Sequence, residues 1–259
     1  MLSKLPKGIK SAIVISDVHC PHQDDGALRA VEEYMGSHHF DYYLNLGDFM
    51  DMDVLSNFTK GKPGLLEGRR LADDFEKGNE ILTRHQELIR RNNKKAKFVL
   101  LEGNHCHRLA KWLEENPQLE GSIDIEDGLR LKKRGFEYVK CYSEGKHYSI
   151  GNMYFTHGMY TNQYHAAKTV ARFGNCVMYG HTHTNQMHTQ ALLGRNKKLV
   201  GQGIGCLCKY KQRYIIKDIT SWQLAFAVVY FRDNGYFNHY VVSIFDGQFV
   251  GPDGMIYGQ

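Results

Sequence analysis

Short motifs of aspartate, asparagine and histidine recur through roughly the first 185 residues of the chain, and most of them contain a glycine. Carboxylate oxygens and imidazole nitrogens are side-chain groups that bind divalent cations in proteins. The chain therefore carries several candidate metal ligands in a fixed order. The five motifs are Asp17-x-His19, Gly47-Asp48-x-x-Asp51, Gly103-Asn104-His105, His157-Gly158 and Gly180-His181-x-His183.

Each motif by itself is weak evidence for a metal site. A lone Asp-x-His is more often a turn residue beside a satisfied histidine, and Gly-Asp is a common turn dipeptide. His181 and His183 are a better pair, because alternate residues of an extended segment share a face. The joint occurrence carries more weight, since the ordinary explanation would have to hold five times over. Together the motifs favour one shared metal site.

The segment before each motif is short and apolar, as a buried strand is. The five predicted strands are residues 12–16, 42–46, 98–102, 153–156 and 176–179. In layered α/β proteins, ligands bind beyond the carboxyl ends of the strands. We therefore expect these five strand ends to bring the motifs together.

Longer amphipathic segments alternate with these strands, which is the pattern of an α/β domain. Residues 69–93 are the clearest helix, because apolar side chains recur at helical spacing beside opposite charges four residues apart. Further helices are predicted over residues 26–38 and near residues 105–115, 125–133 and 164–173. The later chain is β-rich, with strands over residues 198–204, 224–231 and 236–245 and a hairpin turn at Asp233-Asn234-Gly235.

These features predict a single domain over residues 1–259. The metal motifs lie within residues 12–185, and residues 186–259 form a β-rich C-terminal part. A chain of 259 residues with 42% hydrophobic side chains is long enough to bury a full core without disulfides. The formal net charge of +5 is compatible with a polyanionic substrate but does not require one.

The sequence also predicts a compartment. No apolar run approaches the roughly 20 residues that cross a bilayer. The apolar stretch near the N-terminus is interrupted by Ser16 and Asp17, so we predict neither a membrane segment nor a signal peptide. The six cysteines are scattered, which is typical of free thiols in a reducing cytoplasm. We therefore expect a cytoplasmic protein without a membrane partner.

The five motifs, taken together and in this order, resemble those of the calcineurin-like metallophosphoesterase superfamily. The resemblance covers roughly the first 185 residues, and a second β-sheet is expected to follow. It implies an α/β fold, a four-layer α/β/β/α sandwich of two packed mixed β-sheets flanked by helices. It also implies a metal-dependent hydrolase of phosphoesters.

Carried to this chain position by position, the resemblance implies a dinuclear metal site. Its ligands would be Asp17, His19 and His183 for the first cation, Asn104, His157 and His181 for the second, and Asp48 as a bridge. Carboxylate and imidazole ligands without thiolates suit Mn²⁺, Fe, Zn²⁺, Ni²⁺ or Co²⁺, and Mn²⁺ is the expected metal. A hydroxide shared by two cations about 3.5–4 Å apart would attack the phosphorus.

His105 follows a predicted ligand but has a different implied role. In the family this histidine contacts the phosphate and acts as general acid, and Asp51 would orient its imidazole. Asp53 is an alternative for that task, and Asp51 could instead cap a helix. Many relatives have an acidic residue where this chain has Cys106. A thiol cannot supply the negative charge that would hold His105 protonated.

The residue after Asp51 bears on the substrate. Protein phosphatases of this superfamily typically have arginine there, whereas this chain has Met52. Relatives that act on phosphodiesters tolerate this variation better. We therefore expect a phosphodiesterase, with DNA as the expected polymeric substrate and a nucleotide as the smaller one.

Basic and aromatic side chains could serve such a substrate. Four basic clusters are present: Lys94, Lys95 and Lys97; Lys132, Lys133 and Arg134; Lys197 and Lys198; Lys209, Lys211 and Arg213. They could follow a nucleic-acid backbone, and Tyr160 and Tyr164 could stack on a base. Each cluster is more often a solvated face, and each tyrosine a packing residue.

Two other functions stay open. A phosphomonoesterase or protein phosphatase would use the same metals at the same site. Some relatives use this fold as a non-catalytic binding scaffold instead. Such scaffolds usually lose ligands or the catalytic histidine, and this chain retains all of them. The sequence therefore favours an enzyme.

Overall fold

The computed structural model describes residues 5–192, 197–209 and 220–258. In this part of the chain, most strands belong to two mixed β-sheets. In spatial order, the first sheet contains β11 (Phe237–Ser243), β10 (Ala225–Arg232), β1 (Ile9–Ile15), β2 (Tyr42–Asn45), β3 (Lys97–Leu101) and β4 (Phe136–Val139). The second sheet contains β5 (Tyr148–Ile150), β6 (Met153–Thr156), β7 (Cys176–Tyr179), β9 (Lys197–Ile204) and β8 (Asn185–Leu192). A small hairpin pairs β12 (Phe249–Val250) with β13 (Ile256–Tyr257).

The strand directions explain why the motifs meet. β1, β2, β3 and β4 run parallel, and so do β6, β7 and β9. The antiparallel strands β10 and β11 lie at one edge of the first sheet, while β5 and β8 flank the second. The parallel strands therefore present their carboxyl ends, and the loops that follow them, at a common edge of each sheet.

Helices cover the outer faces of both sheets. They are α1 (Asp25–Ser37), α2 (Leu71–Asn92), α3 (His107–Glu115), α4 (Ile125–Gly128), α5 (Leu131–Arg134) and α6 (His165–Phe173), together with 3-10 turns at Asp53–Leu55, Pro63–Leu65 and Pro117–Leu119. The side chain of Asp24 accepts a hydrogen bond from the Ala27 N–H and so caps α1. Within the described residues, no helix is both long and apolar enough to cross a membrane.

The core is divided by the alternation of side chains along each strand. In β1, Ile13 and Ile15 pack with α1 and α2, whereas Ala12 and Val14 face the second sheet. A third cluster joins β7 to α6. The layers are therefore helix, sheet, sheet and helix, which is the expected four-layer α/β/β/α sandwich.

Several local predictions differ from the structure. The single helix predicted near residues 125–133 is two short helices, because Arg130 has a left-handed backbone (φ 54°) that separates them. The predicted helix near residues 105–115 begins at His107 instead. Strands β4, β5 and β8 lie in segments where no strand was predicted. The hairpin turn at Asp233-Asn234-Gly235 is confirmed and joins β10 to β11.

Candidate metal centre

The five motifs follow the carboxyl ends of β1, β2, β3, β6 and β7, so both sheets contribute to one site. Backbone hydrogen bonds join these loops within each sheet: the Asp17 N–H donates to the Gly47 carbonyl, and the Gly180 N–H donates to the His157 carbonyl. Between the sheets, the His181 N–H donates to Asp17 Oδ2 at 2.9 Å. The candidate ligands are thus fixed to one another through the main chain.

The three residues expected to bind the first cation lie together. His19 Nε2 is 3.1 Å from His183 Nε2, and Asp17 Oδ1 is 3.2 Å from His183 Nε2 and 3.8 Å from His19 Nε2. All three side chains are buried. Two imidazole lone pairs repel at this separation unless a proton or a cation lies between them.

The residues expected to bind the second cation form an adjacent group. His157 Nε2 is 3.0 Å from Asn104 Oδ1 and 3.2 Å from Asp48 Oδ2. His181 completes the group, with ligand atoms of Asp48, His157 and His181 all within 4.8 Å of one another. Asn104 and His181 are half-buried, so solvent can reach this side of the site.

Asp48 lies between the two groups. Its Oδ2 is 3.2 Å from His157 Nε2 in one group and 3.9 Å from His19 Nε2 in the other. Its Oδ1 accepts a hydrogen bond from the His105 N–H at 2.8 Å. One carboxylate oxygen therefore faces both groups, as a bridging ligand must.

The donor set fits divalent cations. Asp17 Oδ1 is buried and has no hydrogen-bond partner among the described residues, although a buried carboxylate oxygen normally requires one. Burial opposes ionisation of Asp17, but the neighbouring His183 holds its pKa well below the usual range. An ionised, unsatisfied oxygen beside two imidazole nitrogens matches what Mn²⁺ or Zn²⁺ accepts.

Hydrogen bonds on the far side of two imidazoles orient them toward the centre. His157 Nδ1 donates to the Leu46 carbonyl at 3.0 Å, and His19 Nδ1 donates to Asp51 Oδ2 at 2.9 Å. In both rings the proton is thereby placed on Nδ1, which leaves the Nε2 lone pair for a cation. Cys208 Sγ lies 3.9 Å from His183 Nδ1, behind that ring.

The backbone at these loops is strained in a consistent way. Eight non-glycine residues among those described have positive φ, and five of them are candidate ligands: Asp17, His19, Asp48, His181 and His183. Non-glycine residues seldom adopt this conformation, and when they do they cluster at functional sites. The motif glycines permit close approach, since a Cβ on Gly103 would collide with Asp48 and one on Gly180 with Asp17 and Ser16.

Comparison with known proteins identifies the family. The calcineurin-like phosphoesterase family matches residues 11–185, a range that includes all five motifs. The chain belongs to this family. It is therefore a member of a group of metal-dependent phosphoesterases that use a dinuclear metal site.

The individual proteins that resemble this chain share less than 30% sequence identity with it. The gene 54 protein of Mycobacterium phage L5 is 28% identical to this phosphoesterase, over 85% of this chain and 88% of that protein. The gene 54 protein of Mycobacterium phage D29 is 27% identical over the same shares. The solved structure of vacuolar protein sorting 29 from Cryptosporidium parvum has a TM-score of 0.51 at 14% identity, covering 94% of this chain and 95% of that one. The last similarity is one of fold.

His105 of the phosphoesterase lies at the edge of the two ligand groups, with its ring centroid 4.4 Å from that of His19. Its Nδ1 donates to the main-chain carbonyl of Asp51 at 3.0 Å, while the Asp51 carboxylate is 3.5 Å away. The short bond of that carboxylate goes to His19 instead. Burial lowers the pKa of His105 despite the nearby charge of Asp48.

The structure shows whether Asp51 caps a helix and whether Asp53 contacts His105. The 3-10 turn after Asp51 has no side-chain cap, so Asp51 is not a helix cap. Asp53 pairs with both Nη atoms of Arg69, at 2.9 and 3.0 Å, and with His22 at 3.0 Å. Its carboxylate is therefore engaged with Arg69 and His22, away from His105.

The cysteine that follows Asn104 and His105 is a buried, uncharged side chain. Cys106 is buried, and burial raises the pKa of its thiol to about 12. It supplies no negative charge near His105 at neutral pH. His107 points to another surface, where it approaches Glu102 and the ring of Tyr142.

Two residues of this site, Arg108 and Ser16, were not predicted from the sequence. Arg108 Nη2 lies 3.1 Å from His105 Nε2, and Arg108 Nη1 donates to the Asp51 carbonyl at 2.9 Å. Arg108 is three residues after His105, in the first turn of α3, so the helix predicted near residues 105–115 would place the two side chains on one face. Ser16 Oγ, which donates to Asp17 Oδ2, was also missed.

The side chains expected to serve nucleic acid are placed as follows. Tyr160 lies under Lys168 Nζ, 4.3 Å from the ring centroid, and Tyr164 is 67% exposed at the start of α6. Arg134 is engaged with α2 through Asn79, Thr83 and Gln86. Lys211, Arg213 and the side chain of Lys197 lie outside the described residues.

Proposed function

We propose that this phosphoesterase is a metal-dependent phosphodiesterase whose substrate is a nucleic acid or a nucleotide. Asp17, His19 and His183 would bind one divalent cation, Asn104, His157 and His181 the other, and Asp48 both. The observation that supports this assignment is the Asp48 Oδ2 atom, which faces His157 at 3.2 Å and His19 at 3.9 Å. Mn²⁺ is the metal we expect.

Bound cations would lower the pKa of a shared water and offset charge on the phosphate oxygens. The chain's own residues arrange the rest. The Asp51 carbonyl holds the His105 ring through Nδ1, which leaves Nε2 as the atom for a substrate oxygen. In this proposal His105 takes up a second proton from solvent on Nε2, in place of the Arg108 contact, and delivers that proton to the leaving alcohol as general acid.

Asp51 orients two histidines, His19 and His105. Its carboxylate orients His19 at 2.9 Å, and its carbonyl orients His105 at 3.0 Å. One residue thus fixes a metal-facing imidazole and the proposed general acid relative to each other. We assign Asp51 a positioning role toward His105, exerted through its main chain.

A cavity beside the centre supports a diester substrate. Its volume is about 410 Å³, and its lining includes the candidate ligand Asn104 and Arg108. Trp112 and Tyr142 also line it, together with Glu114 and Glu115. A phosphate monoester has no second substituent to occupy this space, whereas a diester does. Aromatic walls suit a nucleobase, which stacks on such side chains.

Hydrolysis of two chromogenic esters tests the proposal. Purified protein with Mn²⁺ should hydrolyse bis-p-nitrophenyl phosphate with a higher kcat/KM than p-nitrophenyl phosphate, and EDTA should abolish both reactions. Faster turnover of the monoester would favour the phosphomonoesterase. Failure to hydrolyse either ester with Mn²⁺, Zn²⁺, Fe²⁺, Ni²⁺ or Co²⁺ would favour the binding scaffold.

The nucleic-acid part of the proposal needs its own test. Binding to single-stranded DNA should weaken steeply as salt rises, because phosphate contacts release counterions. The net charge of +5 supports such binding. Binding that is absent at 50 mM salt would restrict the substrate to small diesters.

A further inference from the structure

Arg108 reaches from the first turn of α3 back over the proposed general acid. Its Nη1 donates to the Asp51 carbonyl at 2.9 Å and approaches Asp51 Oδ1 at 3.3 Å. Its Nη2 lies 3.1 Å from His105 Nε2. The guanidinium is a donor only, so Nε2 accepts in this contact. The same arginine therefore touches the atom through which His105 would meet the substrate.

This contact has a consequence for any oxygen that binds to His105. A phosphate or leaving-group oxygen within hydrogen-bond distance of Nε2 must enter the space that Arg108 Nη2 now shares. The guanidinium is permanently charged, and its flat fork matches two phosphate oxygens. Arg108 is thus a ready donor to the same oxygens that His105 contacts.

The remaining surroundings of Arg108 leave room for a ligand. Three of its five N–H groups account for the contacts to Asp51 and His105 among the described residues, which leaves two for another acceptor. The side chain is 25% exposed and lines the cavity of about 410 Å³ together with Asn104. It therefore contacts His105 and also lines the cavity proposed for the second substituent.

The loop after β2 has no positive charge at residue 52, so a cation from α3 can take its place. Met52, at the position where protein phosphatases of the superfamily have arginine, is buried and apolar. The loop after β2 therefore brings no arginine of its own at this position. Arg108 comes from a different element and meets the same loop at Asp51.

We propose that Arg108 is a catalytic residue that binds the scissile phosphate beside His105, through a guanidinium that exchanges the His105 contact for substrate oxygens. The proposal rests on the proposed function in that it takes His105 as the substrate-facing histidine. It predicts that Arg108 matters for phosphate binding and turnover, but not for the metal content.

Two variants and one matched control test this role. Arg108→Met keeps the bulk of the side chain without its charge, and Arg108→Lys keeps the charge without the fork. Arg91→Met is the control, because Arg91 is exposed on α2. For each protein we would measure Mn²⁺ content, the melting temperature, hydrolysis of bis-p-nitrophenyl phosphate, and binding of inorganic phosphate by calorimetry.

Arg108→Met should lower kcat/KM by roughly 10- to 100-fold and weaken phosphate binding by a similar factor, with unchanged Mn²⁺ content. Arg108→Lys should retain part of both, and Arg91→Met should match the wild type. Wild-type activity in Arg108→Met would overturn the proposal. So would a fall in activity that only follows a loss of Mn²⁺, since Arg108 would then merely hold Asp51.

Phosphate binding separates this inference from the proposed function. If the wild type binds phosphate but hydrolyses neither ester, the proposed function fails, and loss of phosphate binding in Arg108→Met still supports Arg108 as a phosphate ligand. If the wild type hydrolyses the diester and Arg108→Met binds phosphate equally well, the inference about Arg108 fails alone.

Discussion

At the scale of single residues, the two oxygens of Asp48 have separate tasks. Oδ2 faces His157 and His19, one from each ligand group, while Oδ1 accepts the His105 N–H at 2.8 Å. One carboxylate therefore links the proposed metal pair to the main chain of the proposed general acid. A change to Asp48 should affect both.

Asp48→Asn should reduce metal occupancy, because an amide removes the charge that holds two dications close together. The measurement is the Mn²⁺ content after gel filtration, by elemental analysis. Asp73→Asn on the exposed face of α2 is the control. Two bound cations per chain in Asp48→Asn would remove Asp48 from the bridge.

His105→Ala should lower kcat by roughly 10²- to 10⁴-fold, as loss of a general acid does. Its metal content should stay near normal, because the bond to Asp48 comes from the His105 main chain, which alanine retains. His188→Ala, at an exposed position of β8, is the control. Equal turnover in His105→Ala and the control would exclude His105 from catalysis.

The sequence could predict the candidate ligands but not how their neighbours bond. Asp17, His19, Asp48, Asn104 and the three later histidines stand in recognisable motifs. The contacts of Asp51 and Arg108 depend on rotamers and on where α3 begins, which local patterns do not determine. As a result, the Asp51 carboxylate was expected on His105, whereas its short hydrogen bond goes to His19.

At the scale of elements, the site is made by tight turns directly after strands. Five candidate ligands have left-handed backbones, and the glycines of the motifs allow neighbouring turns to touch. Gly103 is the clearest case, because Asp48 occupies the space that a Cβ would need. The packing of one turn against another, rather than a single loop, sets the ligand positions.

Gly103→Ala should therefore displace Asp48, with a loss of about 1–3 kcal/mol of stability and weaker Mn²⁺ binding. Thermal unfolding and a Mn²⁺ titration measure the two effects. Gly64→Ala is the control, since a Cβ there meets nothing within 4 Å. If Gly103→Ala behaves like Gly64→Ala in both measurements, close approach of the turns is not required.

Elements with a strong apolar pattern could be predicted, and those without one could not. The strands before the motifs are buried on both faces, so each is a short apolar run. β8 lies at the edge of the second sheet, with one face exposed and the other mostly half-buried, and polar residues occur on both faces, so no apolar alternation marks it. The break between α4 and α5 depends on the left-handed backbone of Arg130, and an arginine in the sequence does not predict that conformation.

At the scale of the whole molecule, the centre lies where the two sheets meet. Asp17, His19, Asp48 and Asn104 follow strands of the first sheet, and the three other histidines follow strands of the second. Cations bound there would cross-link the two sheets. Metal binding should therefore stabilise the fold as a unit rather than one loop.

Saturating Mn²⁺ should raise the melting temperature, and EDTA should reverse the change. A ligand at 100 times its Kd adds about 2.7 kcal/mol to the free energy of unfolding, which corresponds to a rise of roughly 5–10 °C for a chain of this size. Differential scanning calorimetry measures it. Asp48→Asn should show a smaller rise, and an equal rise in that variant would place the stabilising Mn²⁺ elsewhere.

The most direct test of a dinuclear centre is anomalous diffraction from crystals grown with Mn²⁺. We expect two peaks about 3.5–4 Å apart, one bordered by Asp17, His19 and His183, the other by Asn104, His157 and His181, with Asp48 between them. A single peak, or two peaks that Asp48 does not join, would contradict the account.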